Sequence, residues 1–462
     1  MDDVVRRLAE ALDAYDPAAL PVIPARGARD PVAACFHFET PRPLAELVTE
    51  VAAHLRAGTC HASHPRHFGL FNPTTTLASV AADALVARFN PQLSVAAAAP
   101  FAAAVERHTL AALAARLGFD PAHLAMTFTT GGAEANHSAL VCALAKHVEG
   151  WVDDGLRGDV RPVVYASAEA HGSLQKAAQA TGIGRHGLRR VAVDRACRMD
   201  RRALRRALAE DRTAGRLPVM LVATVGTTSA GAIDPLPALA EFARDEGLWL
   251  HVDAAWGGIA ALSPRTAHLV EGIAQADSVT WDAHKSLPVA LGAGMFFCRH
   301  PEVTARAFGA EAPYVMREPG DDEPFLTTMQ WSRRFAGLKV ALALASRGFD
   351  GVAEDVDRQF ALGDRLRAGL IARGFEVVND TALPVVCFTH PRIRSGAVPT
   401  RKLVQGLWRR GEAWVSDTRV GGRVPAVRAC VTNVDSRAED VDALVAAMAA
   451  AVTPPSATPR SG

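Results

Sequence analysis

Residues 248–258 read LWLHVDAAWGG. Five residues, LWLHV, carry no formal charge, and a carboxylate, Asp253, closes the run before small residues turn the chain. Such a segment reads as a strand buried on both faces, with its polar chemistry held at its carboxyl end.

The same design recurs on either side of it. RPVVYAS (161–167), LPVMLVATVG (217–226), DSVTWDA (277–283) and GAGMFFCR (292–299) are short apolar segments. Between them lie Ala/Leu/Arg-rich helical stretches such as PFAAAVERHTLAALAARLGF (100–119). Strands alternating with helices predict crossover connections, a largely parallel sheet and helices on both faces. Open sheets of this kind bind ligands beyond the carboxyl ends of their strands. Chemistry is therefore expected near TTGG, VGTT, VDAA and DAHKS.

Composition narrows the classes of function. The chain has 462 residues, 49% of them hydrophobic, and a net charge of +1 from 50 basic and 49 acidic side chains. A balanced charge provides no field for a polyanion or an acidic membrane surface. No apolar run approaches the roughly 18 residues that span a bilayer, and the start, MDDVVRRLAEALDAYDP, reads as an amphipathic helix. The expectation is a cytoplasmic protein that contacts neither nucleic acid nor membrane. Seven scattered cysteines without a CxxC pair argue against a disulfide framework or a zinc cluster.

Residues 1–72 read as an arm serving dimerisation, 73–346 as a large domain, 347–452 as a smaller α+β domain and 453–462 as a disordered tail. The smaller domain is expected from the helical stretch VAEDVDRQFALGDRLRAGLIARG, the strand candidates FEVV, LPVVCFTH, EAWVSDTRV and AVRACVTN, and a last helix ending near Val452.

Three local patterns carry candidate chemistry. MTFTTGGAEANHSALVCAL (126–144) sets a Gly-Gly turn before a helix expected to start near Ala133. Helix N-termini of this kind cradle phosphate, although many such pairs only turn the chain. Asp253 either caps the turn that follows or pairs with a protonated ring nitrogen. Lys285 is one of only five lysines and lies in an apolar neighbourhood beside His284, where a lowered pKa would favour a neutral nucleophile. The bland reading is a solvated surface lysine. His61, His64 and His67 sit in a Pro-broken segment without a carboxylate or thiolate partner, a poor metal set, and no metal is expected.

TTGGAEAN, EAHGSLQKAA, ATVGTTSAGAIDP, HVDAAWGG, DSVTWDAHKS, WSRRFAGLK and VRACVTN occur in this order along the chain. This series resembles the group II pyridoxal-phosphate-dependent amino-acid decarboxylases, which act on aromatic amino acids, glutamate, cysteine sulfinate or diaminobutyrate. The resemblance implies an α/β chain of PLP fold type I: a mostly parallel seven-stranded large domain, a smaller C-terminal domain and an N-terminal arm. It implies pyridoxal 5'-phosphate as cofactor, an amino-acid substrate and a homodimer, with HFGLFNP and LSVAAAAPF suiting the shared interface. It further implies Lys285 as the internal aldimine, Asp253 on the pyridinium nitrogen and His171 on the ring face. Gly132, Ala133 and Thr228 would contact the phosphate, with His284 nearby and Ala255 against the ring. His171 could equally be a hydrogen-bonded core histidine. Substrate contacts are expected from Asn72, Arg428, Tyr314 and Phe325; for Arg428 a structural ion pair is an equal alternative. Trp256 resembles the acidic-substrate branch, and the small residues of LSVAAAAP imply a roomier or altered pocket.

The implied reaction is decarboxylation to an amine. The family's proton donor is a tyrosine on a mobile loop, here residues 308–328, and its usual position falls near Pro324 or Phe325. The chain has only Tyr15, Tyr165 and Tyr314. A phenylalanine there points to oxidative deamination to an aldehyde or another PLP reaction, unless Tyr314 or His171 donates. Cofactor binding without turnover is the third reading.

Overall fold

The computed structural model describes residues 2–23, 32–36, 38–71, 74–311 and 323–453. Asn72, Tyr314, most of the expected lid and nearly all of the expected C-terminal tail lie outside the described residues.

Seven strands form the main sheet. They are β1 (Ala125–Thr129), β2 (Pro162–Ser167), β3 (Leu188–Val191), β4 (Leu217–Thr224), β5 (Trp249–Asp253), β6 (Ser278–Asp282) and β7 (Gly294–Cys298), in the order β1-β7-β6-β5-β4-β2-β3. β7 pairs antiparallel with both β1 and β6, and the remaining pairs are parallel. This is the mostly parallel α/β sheet of fold type I. Strand side chains alternate between two apolar cores. Leu221 and Ala223 of β4 face one core, and Met220 and Val222 face the other. Phe296 and Phe297 of β7 divide in the same way, and burying each side chain contributes about 2–3 kcal/mol. β3 was not anticipated: its sequence, LRRV, puts two arginines on an edge strand, which hides the apolar pattern. Arg190 nevertheless holds the chain past β2 by donating to Ser167 O and Ala170 O.

The helix Gly132–His147 begins one residue earlier than its sequence suggests and packs on β6 and β7. Reversal of β7 brings its first residue, Gly294, beside the turn that starts this helix. A Cβ at Gly294 would lie 2.5 Å from the Gly131 Cα, so the approach requires glycine.

A four-stranded antiparallel sheet forms from β8 (Glu376–Val377), β9 (Val385–Thr389), β10 (Ser416–Val420) and β11 (Val424–Cys430), in the order β10-β11-β9-β8. The helix Gly337–Ala372 links the two sheets and kinks at Gly348 (φ 66°, ψ 165°). The His-rich segment is stitched to the second sheet. Phe68 N–H donates to Trp414 O, Cys430 N–H donates to Phe68 O, and Asn433 Nδ2 donates to Ser63 O and His64 O. Phe68 is buried among Leu366, Phe388 and Val427, and Leu93 is likewise buried within its own chain. Phe68 and Leu93 are therefore spent inside the chain, whereas Leu70 and Phe101 of the same two segments are exposed.

Candidate active site

The carboxyl ends of β1, β2, β4, β5 and β6, with the start of β7, meet at one edge of the main sheet. Lys285 follows β6 in the short helix Ala283–Ser286. Its Nζ lies 2.7 Å from Asp282 Oδ2, and its side chain keeps solvent access while Asp282 is buried. Asp282 Oδ1 has no hydrogen-bond partner among the described residues.

His284 stands beside this pair, with Nε2 3.9 Å from Asp282 Oδ2. Its Nδ1 accepts the Ala293 N–H, so a neutral ring carries its proton on Nε2. Burial lowers its pKa, and Asp282 opposes that shift. Across from it lie the glycines of the helix N-terminus. A Cβ on Gly132 would fall 2.9 Å from Asp282 Oδ2 and 3.3 Å from the Ala255 Cβ, and one on Gly131 would fall 3.5 Å from His284. Gly132 and Ala133 occupy the first helical turn, whose N–H groups precede the helix's own hydrogen-bond ladder. Glycines that keep a cleft open beside unspent N–H groups and an imidazole N–H form a donor set suited to a phosphate ester.

Asp253 ends β5 and is buried. Its Oδ2 accepts from Asn136 Nδ2 at 2.9 Å and its Oδ1 from the Ala255 N–H at 3.1 Å, which leaves lone pairs free on both oxygens. His171 follows β2. Its Nδ1 accepts from Ser173 Oγ at 2.9 Å and from the Ser173 N–H at 3.2 Å, and the residue is exposed. Packing around the ring lowers its pKa, with Asp253 acting in the opposite sense. Thr228 is exposed in the turn after β4. A carboxylate, an imidazole, an accessible amine and a phosphate-type cradle thus share one crevice, as pyridoxal phosphate requires.

Arg428, on β11, is reached through stacked rings. Its guanidinium carbon lies 4.6 Å from the centroid of Phe71, whose ring is 4.3 Å from Trp256, the residue after Ala255. Arg428 Nη1 donates to Gly69 O, whereas Nε and Nη2 are buried without partners among the described residues. No carboxylate pairs with it among the described residues, so the structural ion pair is not found. Phe325 lies elsewhere: it is buried, its N–H donates to Ser94 O, and its ring stacks on Trp331 at 4.8 Å. Tyr15 bonds to His61 Nδ1 at 3.0 Å and Tyr165 donates to Asp211 at 3.0 Å, both away from the crevice.

Asn136, Ser173, His251, Asp282 and Phe71 were not singled out from sequence. One local cue existed for His251: it precedes Asp253 by two on a strand, and so points to the same face. The contacts of Asn136 with β5 have no such cue.

Residues 34–390 match the pyridoxal-dependent decarboxylase conserved domain. The chain is 30% identical over 392 residues to an aromatic-L-amino-acid decarboxylase of Bacillus atrophaeus, covering 82% of this chain and 80% of that one. It is 27% identical to a phenylacetaldehyde synthase of Petunia hybrida, covering 75% and 71%. The crystal structure of mouse CSAD superposes with a TM-score of 0.89 at 26% identity, covering 97% of each chain. With this match across most of its length, and a crevice whose donors fit the cofactor, the chain belongs to the pyridoxal-dependent decarboxylases, lyases that remove the carboxylate of an amino acid.

Proposed function

We propose that Lys285 is the cofactor anchor of an L-amino-acid decarboxylase that releases the amine, with Asp253 and His171 completing the catalytic set. The observation that carries this reading is the convergence of Lys285, Asp253, His171 and the Gly132 turn at the carboxyl ends of one sheet. When bound, pyridoxal phosphate supplies an aldehyde that condenses with amines and a ring that accepts an electron pair from the substrate's Cα.

The chain's own groups divide the remaining work. Gly132, Ala133, His284 and Thr228 would hold the phosphate, and Ala255 would flank the ring. Asp253 would hold a proton on the ring nitrogen. Arg428 would orient the substrate carboxylate, which selects the bond that breaks. With Nδ1 accepting from Ser173, a neutral His171 carries its proton on Nε2 and would act as a hydrogen-bond donor to the bound substrate and cofactor, too weak an acid in that form to supply the Cα proton by itself. Phe325 has no acidic proton and is buried against Trp331, which supports neither proton donation nor substrate contact within its own chain.

We further propose that two copies assemble, that Gly348 marks the junction of a larger and a smaller unit, and that the seven free cysteines reflect a reducing compartment. No helix among the described residues is long and apolar enough to cross a membrane.

The test is mass spectrometry of products from a pool of amino acids, run aerobically with pyridoxal phosphate and beside Lys285→Ala. An amine that is absent from the variant reaction supports the reading and names the substrate. An aldehyde with ammonia and peroxide would replace it with oxidative deamination. No Lys285-dependent product would leave a binding protein.

A further inference from the structure

Behind the crevice lies a buried polar chain that the roles above do not use. Asn136, on the second turn of the helix Gly132–His147, is 1% exposed, and its side-chain amide makes four hydrogen bonds. Its Nδ2 donates to Asp253 Oδ2 and to Ser173 Oγ, each at 2.9 Å. Its Oδ1 accepts from His251 Nε2 at 2.9 Å and from Thr280 Oγ1 at 2.8 Å.

The direction of each bond is fixed by what the others require. Turning the amide over would set its oxygen against the Asp253 carboxylate, acceptor against acceptor. His251 is fully buried, and desolvation lowers its pKa to about 4, so it is neutral at working pH. With its proton on Nε2 toward Asn136, its Nδ1 accepts the hydroxyl of Ser278 at 2.8 Å, and Ser278 Oγ accepts the Trp249 indole N–H at 2.8 Å. On the other side, Ser173 Oγ accepts the amide N–H and donates its own O–H to His171 Nδ1.

We infer that Asn136 is a positioning residue: one saturated amide orients the Asp253 carboxylate and, through Ser173, sets the tautomer of His171. Its four bonds lock the amide, since any rotation abandons several buried polar partners at once. Asp253 is thereby held with free lone pairs toward the crevice, and His171 presents Nε2–H rather than a bare nitrogen. The charged groups acting on His171 are Asp253, Lys285, Asp282 and Lys176, so its proton responds to the same cluster that holds the anchor.

This inference rests on Lys285, Asp253 and His171 having the roles proposed above, and the experiment separates the two. Asn136→Leu keeps the volume and removes all four bonds. Tyr165→Phe removes a buried hydroxyl from the core, away from the crevice, and serves as the control for lost stability. The readouts are the pyridoxal-phosphate dissociation constant, from quenching of tryptophan fluorescence, and the pH dependence of the bound cofactor's visible absorbance. Asn136→Leu is expected to weaken cofactor binding roughly tenfold to a hundredfold, as loss of a hydrogen bond to a charged group does, and to shift the absorbance titration. Tyr165→Phe is expected to change neither by more than about twofold. Wild-type values in Asn136→Leu, or an equal change in Tyr165→Phe, would overturn the inference.

Should Asn136→Leu fail to fold, Ser173→Ala tests the second arm. A donor on Nδ1 favours neutral imidazole, so removing the Ser173 hydroxyl raises the pKa of His171 and moves the acidic limb of kcat/KM to higher pH; an unmoved limb would count against the inference. A wild-type protein without a Lys285-dependent visible band would sink the parent reading instead.

Discussion

Arg428 concentrates an unresolved charge in one residue. Two of its nitrogens are buried without partners among the described residues, and its face rests on Phe71. A buried cation without a counter-ion costs several kcal/mol, unless an anion arrives to meet it. Arg428→Met should therefore do two opposite things: lower kcat/KM about tenfold to a hundredfold and raise the melting temperature of the substrate-free protein. Steady-state kinetics beside thermal melts read both, and unchanged kinetics would remove Arg428 from the substrate site. At this scale the primary sequence marks the places where a polar side chain closes an apolar run, as at Asp253 and Lys285, which the fold sets at the ends of β5 and β6. It was silent on Asn136, because the partners of that amide, Ser173, His251, Asp253 and Thr280, lie 37 to 144 residues away. Only the closed sheet brings them together.

Elements show the same division. β2, β4, β5, β6 and β7 were legible because both of their faces are buried and their apolar runs are uninterrupted. β3 was not, since an edge strand tolerates arginine, and the segment at residues 61–71 was not, since its order comes from the second sheet rather than from its own pattern. That docking has a pH signature. Burial lowers the pKa of His67, which meets Trp414 edge-on at 5.0 Å, and of His251 to about 4 each. In the unfolded chain both would titrate near 6.5, so between those values the unfolded state binds more protons. Their stabilisation is complete above about pH 6.5 and is lost as pH falls, by about 1.4 kcal/mol per pH unit for each imidazole. Melting temperature should drop between pH 7 and pH 5, and His67→Phe, which keeps the ring contact, should flatten that slope. The kink at Gly348 gives a second test. Its φ and ψ fall in a region that side chains avoid, while a Cβ there would meet nothing within 4 Å. Gly348→Ala should cost about 1–3 kcal/mol of backbone strain alone, read as a lower urea midpoint.

At the scale of the whole molecule, the described residues of a single copy expose a set of large apolar side chains. The helix Leu77–Phe89 buries Ser79, Ala82 and Val86 against its own chain and turns Leu77, Leu85 and Phe89 outward. Phe89 is 78% exposed, Phe101 is 75% exposed, and Leu291 adds to the same exposed set. The helix Asp2–Asp13 buries none of its residues and presents Val5, Leu8 and Leu12 to solvent at spacings of three and four. Exposed apolar side chains in such number are what an association site presents, and the proposed assembly of two copies would cover them. Light scattering should give about twice the 48.9 kDa chain mass. Phe89→Asp with Phe101→Asp should halve that value, because two desolvated carboxylates in an apolar contact lack partners. The main-sheet crevice is built from strands within one chain, so the monomer should still bind pyridoxal phosphate through Lys285. If the amine is nonetheless no longer formed, turnover requires a group that crosses from the partner, and full activity in the monomer would instead assign the whole reaction to one chain.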